Sequence, residues 1–312
     1  MSGDGRPALY YDIGELGWTM YLAAHLRYLF LRGRPAAVAA PPSKEVFYRG
    51  SALEILPIPA AWSEKWGRFP SDGHHLYDPR TRRRIRDHRV LSAEFVEAYP
   101  QYEVVTGGYG RFPGETVFEP YRHSPGMEDL AGELFGSKRV ILAFPRKRKG
   151  KFAGRNLPQG LWTALVRTLC DRFPDLVTVA LGSSGGAIRG LDPGRDNYRD
   201  LVGYDDSITL DLMVALCNTG RAAAAVGNQS GTVKITLLCG TPTFIVGHER
   251  ERHTVDENWS GTRVGFHEAG SLFGPRLPFD RKASLGGYVV WNRGRLISRM
   301  TGFVEEALGS GP

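Results

Sequence analysis

Residues 222–246 constrain the fold more than any other part of this chain. Ala222 to Val226 (AAAAV) form a short, wholly apolar run of the length and character of a strand buried on both faces. Gly227, Asn228, Gln229 and Ser230 supply turn and helix-capping chemistry. Thr232 to Cys239 suit a short helix that Gly240 can end. Pro242 to Val246 return as a second apolar strand. Strand, turn, helix, strand at this spacing is a βαβ unit, which implies a parallel sheet. It also has a chemical consequence. The turn presents the backbone N–H groups of Ser230, Gly231 and Thr232 at the opening of a helix, where orphan donors and the positive end of the dipole favour phosphate.

The same alternation recurs along the chain. Residues 8–13 (ALYYDI) read as a strand, followed by a turn at Gly14 and a helix over 17–32 with Met20, Ala23, Leu26 and Phe30 on one face. A strand at Ala36 to Ala40 completes an opening βαβ unit. Residues 41–100 read as short strands and long loops with a helix near 92–99, and 103–106 as a further strand. From Lys138 the pattern restarts, with strands at 138–144 and 176–181 and helices at 158–172 and 206–217. Asp205 and Asp206 read as the start of the latter helix. Residues 294–308 read as one amphipathic helix. Two α/β sets predict two Rossmann-like domains: 1–130, 131–290, and a helix in 291–312 that packs back toward the first. In such sheets ligands sit beyond the carboxyl ends of the strands. Gly14 to Gly17, Gly227 to Thr232 and the basic run 146–151 all lie there, so they face one cleft.

Composition narrows the ligand classes. The net charge is +7, with basic clusters at Arg80–Arg89 and Arg146–Lys151. Such clusters attract polyanions or nucleotide phosphates. No apolar run reaches the length of a membrane span and no signal-like core precedes the first strand. Cys170, Cys217 and Cys239 are far apart and fit reduced thiols in a cytoplasmic protein. His74-His75 has no partner ligands at a metal-site spacing, so no metal and no cofactor are expected.

The segment from Asp200 to Gly247 resembles the donor-binding half of the heptosyltransferases, glycosyltransferase family 9. The matching phrases are Leu201-Val202-Gly203, Ser230-Gly231 and Gly240-Thr241-Pro242-Thr243. Ile13-Gly14-Glu15 is similar to the family's Gly-Asp turn before the first helix. Gln229 stands where the family has Asp before Ser-Gly, Glu15 where it has Asp, and Lys234 near its usual helix histidine. The resemblance implies a GT-B fold and metal-independent, inverting transfer of a sugar from a nucleotide-sugar donor to a hydroxyl acceptor. It implies that Glu15 takes the acceptor proton and that Arg146 and Lys147 meet the donor.

The residues suggest roles consistent with that chemistry. Negative charge builds on the departing diphosphate, so donors are needed there. Asn228, Gln229, Ser230, Gly231, Thr232 and Lys234 are candidates from the turn and helix, and Arg146 and Lys147 from the basic run. His248 and Glu249 follow the last strand of the unit and border the same site. Glu15 is the candidate base, ionised near neutral pH, with Asp12 as the alternative. Arg82, Arg83 and Arg84 are candidate acceptor contacts if the acceptor is anionic, such as a glycolipid or a nucleic acid carrying a hydroxylated base. Two other readings remain open: a sugar-nucleotide epimerase of the same fold, and a non-catalytic nucleotide-sugar or polyanion-binding protein.

Overall fold

The computed structural model describes residues 5–14, 16–66, 88–105, 116–148, 155–248, 255, 258, 260–271, 288–290 and 292–309. The chain divides into two compact units, Met1–Arg122 and His123–Pro312. Each carries its own parallel sheet.

In the first unit, strands β1 (Ala8–Tyr11), β2 (Ala37–Ala39), β3 (Ile55–Leu56) and β4 (Glu103–Val104) lie in the order β3-β2-β1-β4. All three pairings are parallel, with Leu9 opposite both Ala37 and Val104. Helix α1 (Leu16–Leu31) connects β1 to β2, and a 3-10 helix at Pro42–Phe47 follows β2. Helices α2 (Ala60–Trp66) and α3 (His88–Ala98) complete the unit. One core gathers Leu9, Tyr11, Trp62, Leu91 and Phe95. Within it Tyr11 stacks on Phe95 at 4.5 Å, and the buried Trp62 Nε1 donates to the Leu91 carbonyl.

Met20, Ala23 and Leu26 of α1 are buried as expected, but Phe30 is 43% exposed. The reason is length. A 16-residue helix runs about 24 Å while a four-residue strand covers about 13 Å, so the last helical turn outruns the sheet it covers.

The second unit opens with α4 (Gly126–Phe135). Its sheet strands are β5 (Val140–Phe144), β6 (Val177–Ala180), β7 (Tyr198–Asp200), β8 (Ala222–Asn228), β9 (Thr243–Gly247) and β10 (Val264–Glu268). They lie in the order β10-β9-β8-β5-β6-β7, and every pairing is parallel. Renumbered within the unit this is 3-2-1-4-5-6, the doubly wound Rossmann order, with its switch point between β5 and β8. Every residue of β5, β8 and β9 is buried, as central strands covered on both faces require. Helices α5 (Gln159–Arg172), α6 (Thr209–Asn218) and α7 (Gly231–Leu238) supply that cover. A small antiparallel pair, β11 (Gly270–Ser271) and β12 (Tyr288–Val289), precedes the last helix, α8 (Arg293–Gly309).

Several boundaries differ from the expectation. The division falls after Arg122, and α8 buries Leu296, Met300, Phe303 and Val304 in the core of the second unit. Strand β8 runs on through Gly227 and Asn228, because Phe144 of β5 and Val246 of β9 pair with those two residues. Helix α6 begins at Thr209, not at 206. The two aspartates are spent on loops: Asp205 accepts from the amide and hydroxyl of Ser207, and Asp206 from those of Ser184. The three cysteines are buried free thiols. No described helix is long and apolar enough to cross a membrane.

Candidate functional site

Strands β5 and β8 end side by side, Phe144 opposite Gly227. The chain leaves the sheet there in two directions, into Arg146 on one side and into the turn before α7 on the other. Gly227 makes this junction tight. A Cβ there would sit 2.6 Å from Val233 Cγ1 and 3.2 Å from Phe144 Cβ, so only glycine lets α7 close onto the strand ends. Gly240, at φ +80°, follows the last turn of α7 where a left-handed residue ends a helix.

Ser230 occupies the N-cap of α7 with extended backbone (φ −159°, ψ 169°), and its side chain makes no capping hydrogen bond. The first-turn amides therefore lack the internal acceptor that an N-cap usually provides. Ser230, Gly231 and Thr232 are half-buried, which leaves them reachable. Beside them Asn228 is fully buried. Its Nδ2 donates to the Arg155 carbonyl at 2.9 Å, while Oδ1 has no hydrogen-bond partner among the described residues. A buried acceptor left unmade costs about 1–3 kcal/mol. A donor arriving with a ligand or water relieves that cost.

The basic side of the junction is organised by a residue that the sequence gives no reason to single out. Asn156 Oδ1 accepts from Arg146 Nη1 at 3.1 Å and from the Arg148 amide at 3.0 Å, and its Nδ2 donates to the Arg148 carbonyl at 2.8 Å. One amide side chain thus clamps the 146–148 segment. Arg146 is 9% exposed, and Lys147 donates its amide to the Gly186 carbonyl at 2.9 Å. Since Arg155 and Asn156 are consecutive, Asn228, Arg155, Asn156 and Arg146 form one connected chain of contacts across the switch point.

The remaining candidates of this unit are placed as follows. Gln229 is buried, with its Oε1 against Gly247, where a Cβ would approach it to 2.8 Å. Lys234 is buried one turn into α7, and His248 is the half-buried residue that follows β9. Glu249 lies outside the described residues, as do Arg82, Arg83, Arg84, the His74-His75 pair and Glu15.

In the first unit, the loop after β1 has a buried anchor. Asp12 is 3% exposed and accepts from Lys44 Nζ at 2.9 Å, the Tyr48 hydroxyl at 2.6 Å and the Gly14 amide at 3.2 Å. Lys44 Nζ also donates to the Gly14 carbonyl. Gly14 is therefore held at both backbone atoms, one residue before Glu15. Burial, and then the adjacent Asp12 carboxylate, push the Tyr48 hydroxyl well above its usual range, so it stays a donor at any working pH. With its carboxylate occupied by three donors, Asp12 serves as the anchor of this loop rather than as a base open to an acceptor. Neither Lys44 nor Tyr48 stands out in sequence, because both reach Asp12 from more than 30 residues away.

No family model and no curated protein matches the sequence. Solved structures do match in shape. A glycosyl transferase family 9 protein from Veillonella parvula superposes with a TM-score of 0.58 at 11% identity, covering 98% of this chain and 99% of that one. The ADP-heptose lipopolysaccharide heptosyltransferase II of E. coli superposes with a TM-score of 0.53 at 13% identity, covering 96% and 99%. Two parallel Rossmann-like units, matched over nearly the full length of both structures, give this chain the GT-B fold.

Proposed function

We propose that this chain is a glycosyltransferase that moves a sugar from a nucleotide-sugar donor to a hydroxyl acceptor, with inversion and without a metal. The observation that carries the reading is the uncapped N-terminus of α7, set at the switch point of the second sheet beside the buried, acceptor-bearing Asn228. The fold shared with family 9 structures supports it, and ADP-heptose, after which one of those enzymes is named, gives the class of donor.

In this reading the diphosphate lies against the amides of Gly231 and Thr232 and the Ser230 and Thr232 hydroxyls, with Arg146 and Lys147 opposite. The bond between the anomeric carbon and the phosphate oxygen breaks, and the electron pair leaves with the diphosphate. Preorganised donors at that oxygen stabilise the developing charge, each worth about 3–4 kcal/mol in a water-excluded site. The acceptor oxygen attacks the opposite face of the anomeric carbon, and the Glu15 carboxylate takes its proton. The Asp12–Lys44–Tyr48 anchor steadies the loop from which Glu15 works. His248 and Glu249 border the donor, and Arg82 to Arg84 contact an anionic acceptor.

The test is a thermal-shift screen across sugar nucleotides followed by turnover assays with and without acceptors. A donor at 100 times its Kd should stabilise the protein by about 2.7 kcal/mol. Glu15→Gln should retain that stabilisation and lose transfer. Full transfer activity in Glu15→Gln would remove the base assignment. Conversion of the sugar nucleotide in the absence of any acceptor would replace transfer by epimerisation.

A further inference from the structure

The helix that joins β1 to β2 ends in an apolar tip. Because β1 and β2 are parallel, α1 runs back against them, and its C-terminus lies at the amino ends of the strands, opposite the loop of Gly14. Phe30 is 43% exposed there and Leu31 is 53% exposed. The helix end is firmly closed. The Gly33 amide donates to the Phe30 carbonyl and the Arg34 amide to the Leu29 carbonyl, each at 3.0 Å, and Gly33 stands at φ +67°. This is the paired closure of a Schellman turn, so both apolar side chains are held out by an ordered cap.

A second turn extends the same surface. The Leu53 amide donates to the Ala36 carbonyl at 2.8 Å, which brings the 50–53 turn beside the chain that leaves α1. Arg27 ties the two together from the helix side: its guanidinium stands 5.5 Å from the centre of the Phe30 ring and donates to the Gly50 carbonyl at 3.3 Å. Leu53 is 53% exposed. Three of the six large apolar side chains exposed among the described residues therefore belong to this one end of the unit. Scattered singly they would need no explanation; gathered in one place they mark a contact surface.

The charge of the tip says what kind of surface it meets. Residues 30–35 read FLRGRP, with two arginines and no acid, and all six are exposed. The Arg32 guanidinium lies over the Tyr28 ring, 5.4 Å from its centre. Glu54, the acid next to Leu53, accepts from the Tyr102 hydroxyl at 2.5 Å. Apolar tips flanked by arginines suit the boundary of an anionic bilayer, where the apolar groups enter the acyl layer and the guanidinium groups stay among the phosphates.

We propose that this end of the first unit docks on an anionic lipid bilayer, with Phe30, Leu31 and Leu53 entering the interface and Arg32 and Arg34 meeting the headgroups. Docked by the amino edge of its sheet, the unit keeps the opposite edge, with Gly14, turned away from the lipid. The inference does not rest on the transferase reading.

The test is flotation of the full-length protein with phosphatidylcholine vesicles, with and without phosphatidylglycerol. Wild type is compared with Phe30→Ser/Leu31→Ser, with Arg32→Gln/Arg34→Gln and, as a control in the second unit, with Tyr204→Ser, which removes an equally exposed ring. The serine pair should weaken binding to the anionic vesicles roughly tenfold or more, through lost apolar burial. The glutamine pair should weaken it roughly fivefold for each arginine removed, and added salt should act in the same direction. Tyr204→Ser should bind as wild type does. All variants should keep the wild-type melting temperature, since the side chains they change already stand in water. A second measurement is independent of lost binding. The native cysteines are buried, so Leu31→Cys accepts an environment-sensitive fluorophore selectively, and its emission should shift to the blue on anionic vesicles. Absence of vesicle binding, binding indifferent to both pairs, or a label that stays in water overturns the proposal. So does a dimer of the free protein that the serine pair dissolves, because the apolar tip would then be covered by a second copy.

Discussion

Replacing Lys44 by Met should be among the most damaging single changes in the first unit. The Lys44 and Asp12 side chains are 10% and 2% exposed, so the pair is shielded from water. Removing the ammonium strands a buried carboxylate that, among the described residues, keeps Tyr48 and the Gly14 amide as donors. Breaking one side of such a pair costs about 3–5 kcal/mol, and the two surviving bonds put the cost near the lower figure. For a unit of this size that lowers the melting temperature on the order of 10 °C. Lys65→Met is the internal control. Lys65 approaches Glu94 more closely, at 2.6 Å, and Glu94 is 9% exposed, but the Lys65 side chain is 50% exposed, so water screens its ammonium and its loss costs less, about 1 kcal/mol. Calorimetric unfolding of both variants, together with Asp12→Leu/Lys44→Met, separates burial from distance. The double variant should recover much of the loss, since a buried ion pair can be replaced by apolar groups at little cost. Equal losses for Lys44→Met and Lys65→Met, or a double variant as unstable as Lys44→Met, would refute the reasoning. If the anchor also serves the loop before Glu15, Lys44→Met slows transfer below its melting temperature while the donor Kd holds.

Other outcomes follow from the second unit. Gly227→Ala forces a methyl group to within 2.6 Å of Val233, an overpacking worth about 1–3 kcal/mol, so thermal unfolding should shift downward and nucleotide affinity fall with it. Asn156→Ala releases Arg146 and the 146–148 backbone together; calorimetry should show donor binding weakened roughly tenfold or more, through hydrogen bonds that Asn156 itself does not make to the ligand. His267 is buried on β10, and burial, then Arg299 and Arg295, hold its pKa below 6.5. The unfolded chain therefore binds a proton that the folded one refuses once the pH drops below about 6.5, and stability is lost on the acid side. Denaturant midpoints measured from pH 7.5 down to 5 should fall more steeply for wild type than for His267→Gln. Burial lowers the pKa of His25 as well, so the variant should keep a residual slope.

The centre of the second sheet was the most legible part of the fold, for a physical reason. Strands covered on both faces are continuous apolar runs, and β5, β8 and β9 stand out as such. The glycines and small polar residues after β8 then mark the junction with α7. Strand ends were harder because distant partners set them. Local composition ends the strand at Val226, but the neighbouring strands pair with Gly227 and Asn228 and carry it on. Asp205 and Asp206 have the chemistry of helix caps, and only the folded chain shows them bonded to Ser207 and Ser184 instead. The site divides the same way. The turn 228–232 and Arg146 declare themselves by sequence, whereas Asn156, Lys44 and Tyr48 act through contacts with no local signature. Phe30 follows the helical period faithfully and is nonetheless exposed, because periodicity does not report how far the strand beneath it extends.

The central claim is that the second unit receives a sugar nucleotide's diphosphate at the opening of α7. Amide NMR during titration with the donor found by the thermal-shift screen tests it most directly. Gly231, Thr232 and Val233 should shift among the most strongly and saturate along one binding curve with Arg146. Saturable binding that leaves those amides unmoved, with the perturbations confined to residues 5–122, would contradict the account.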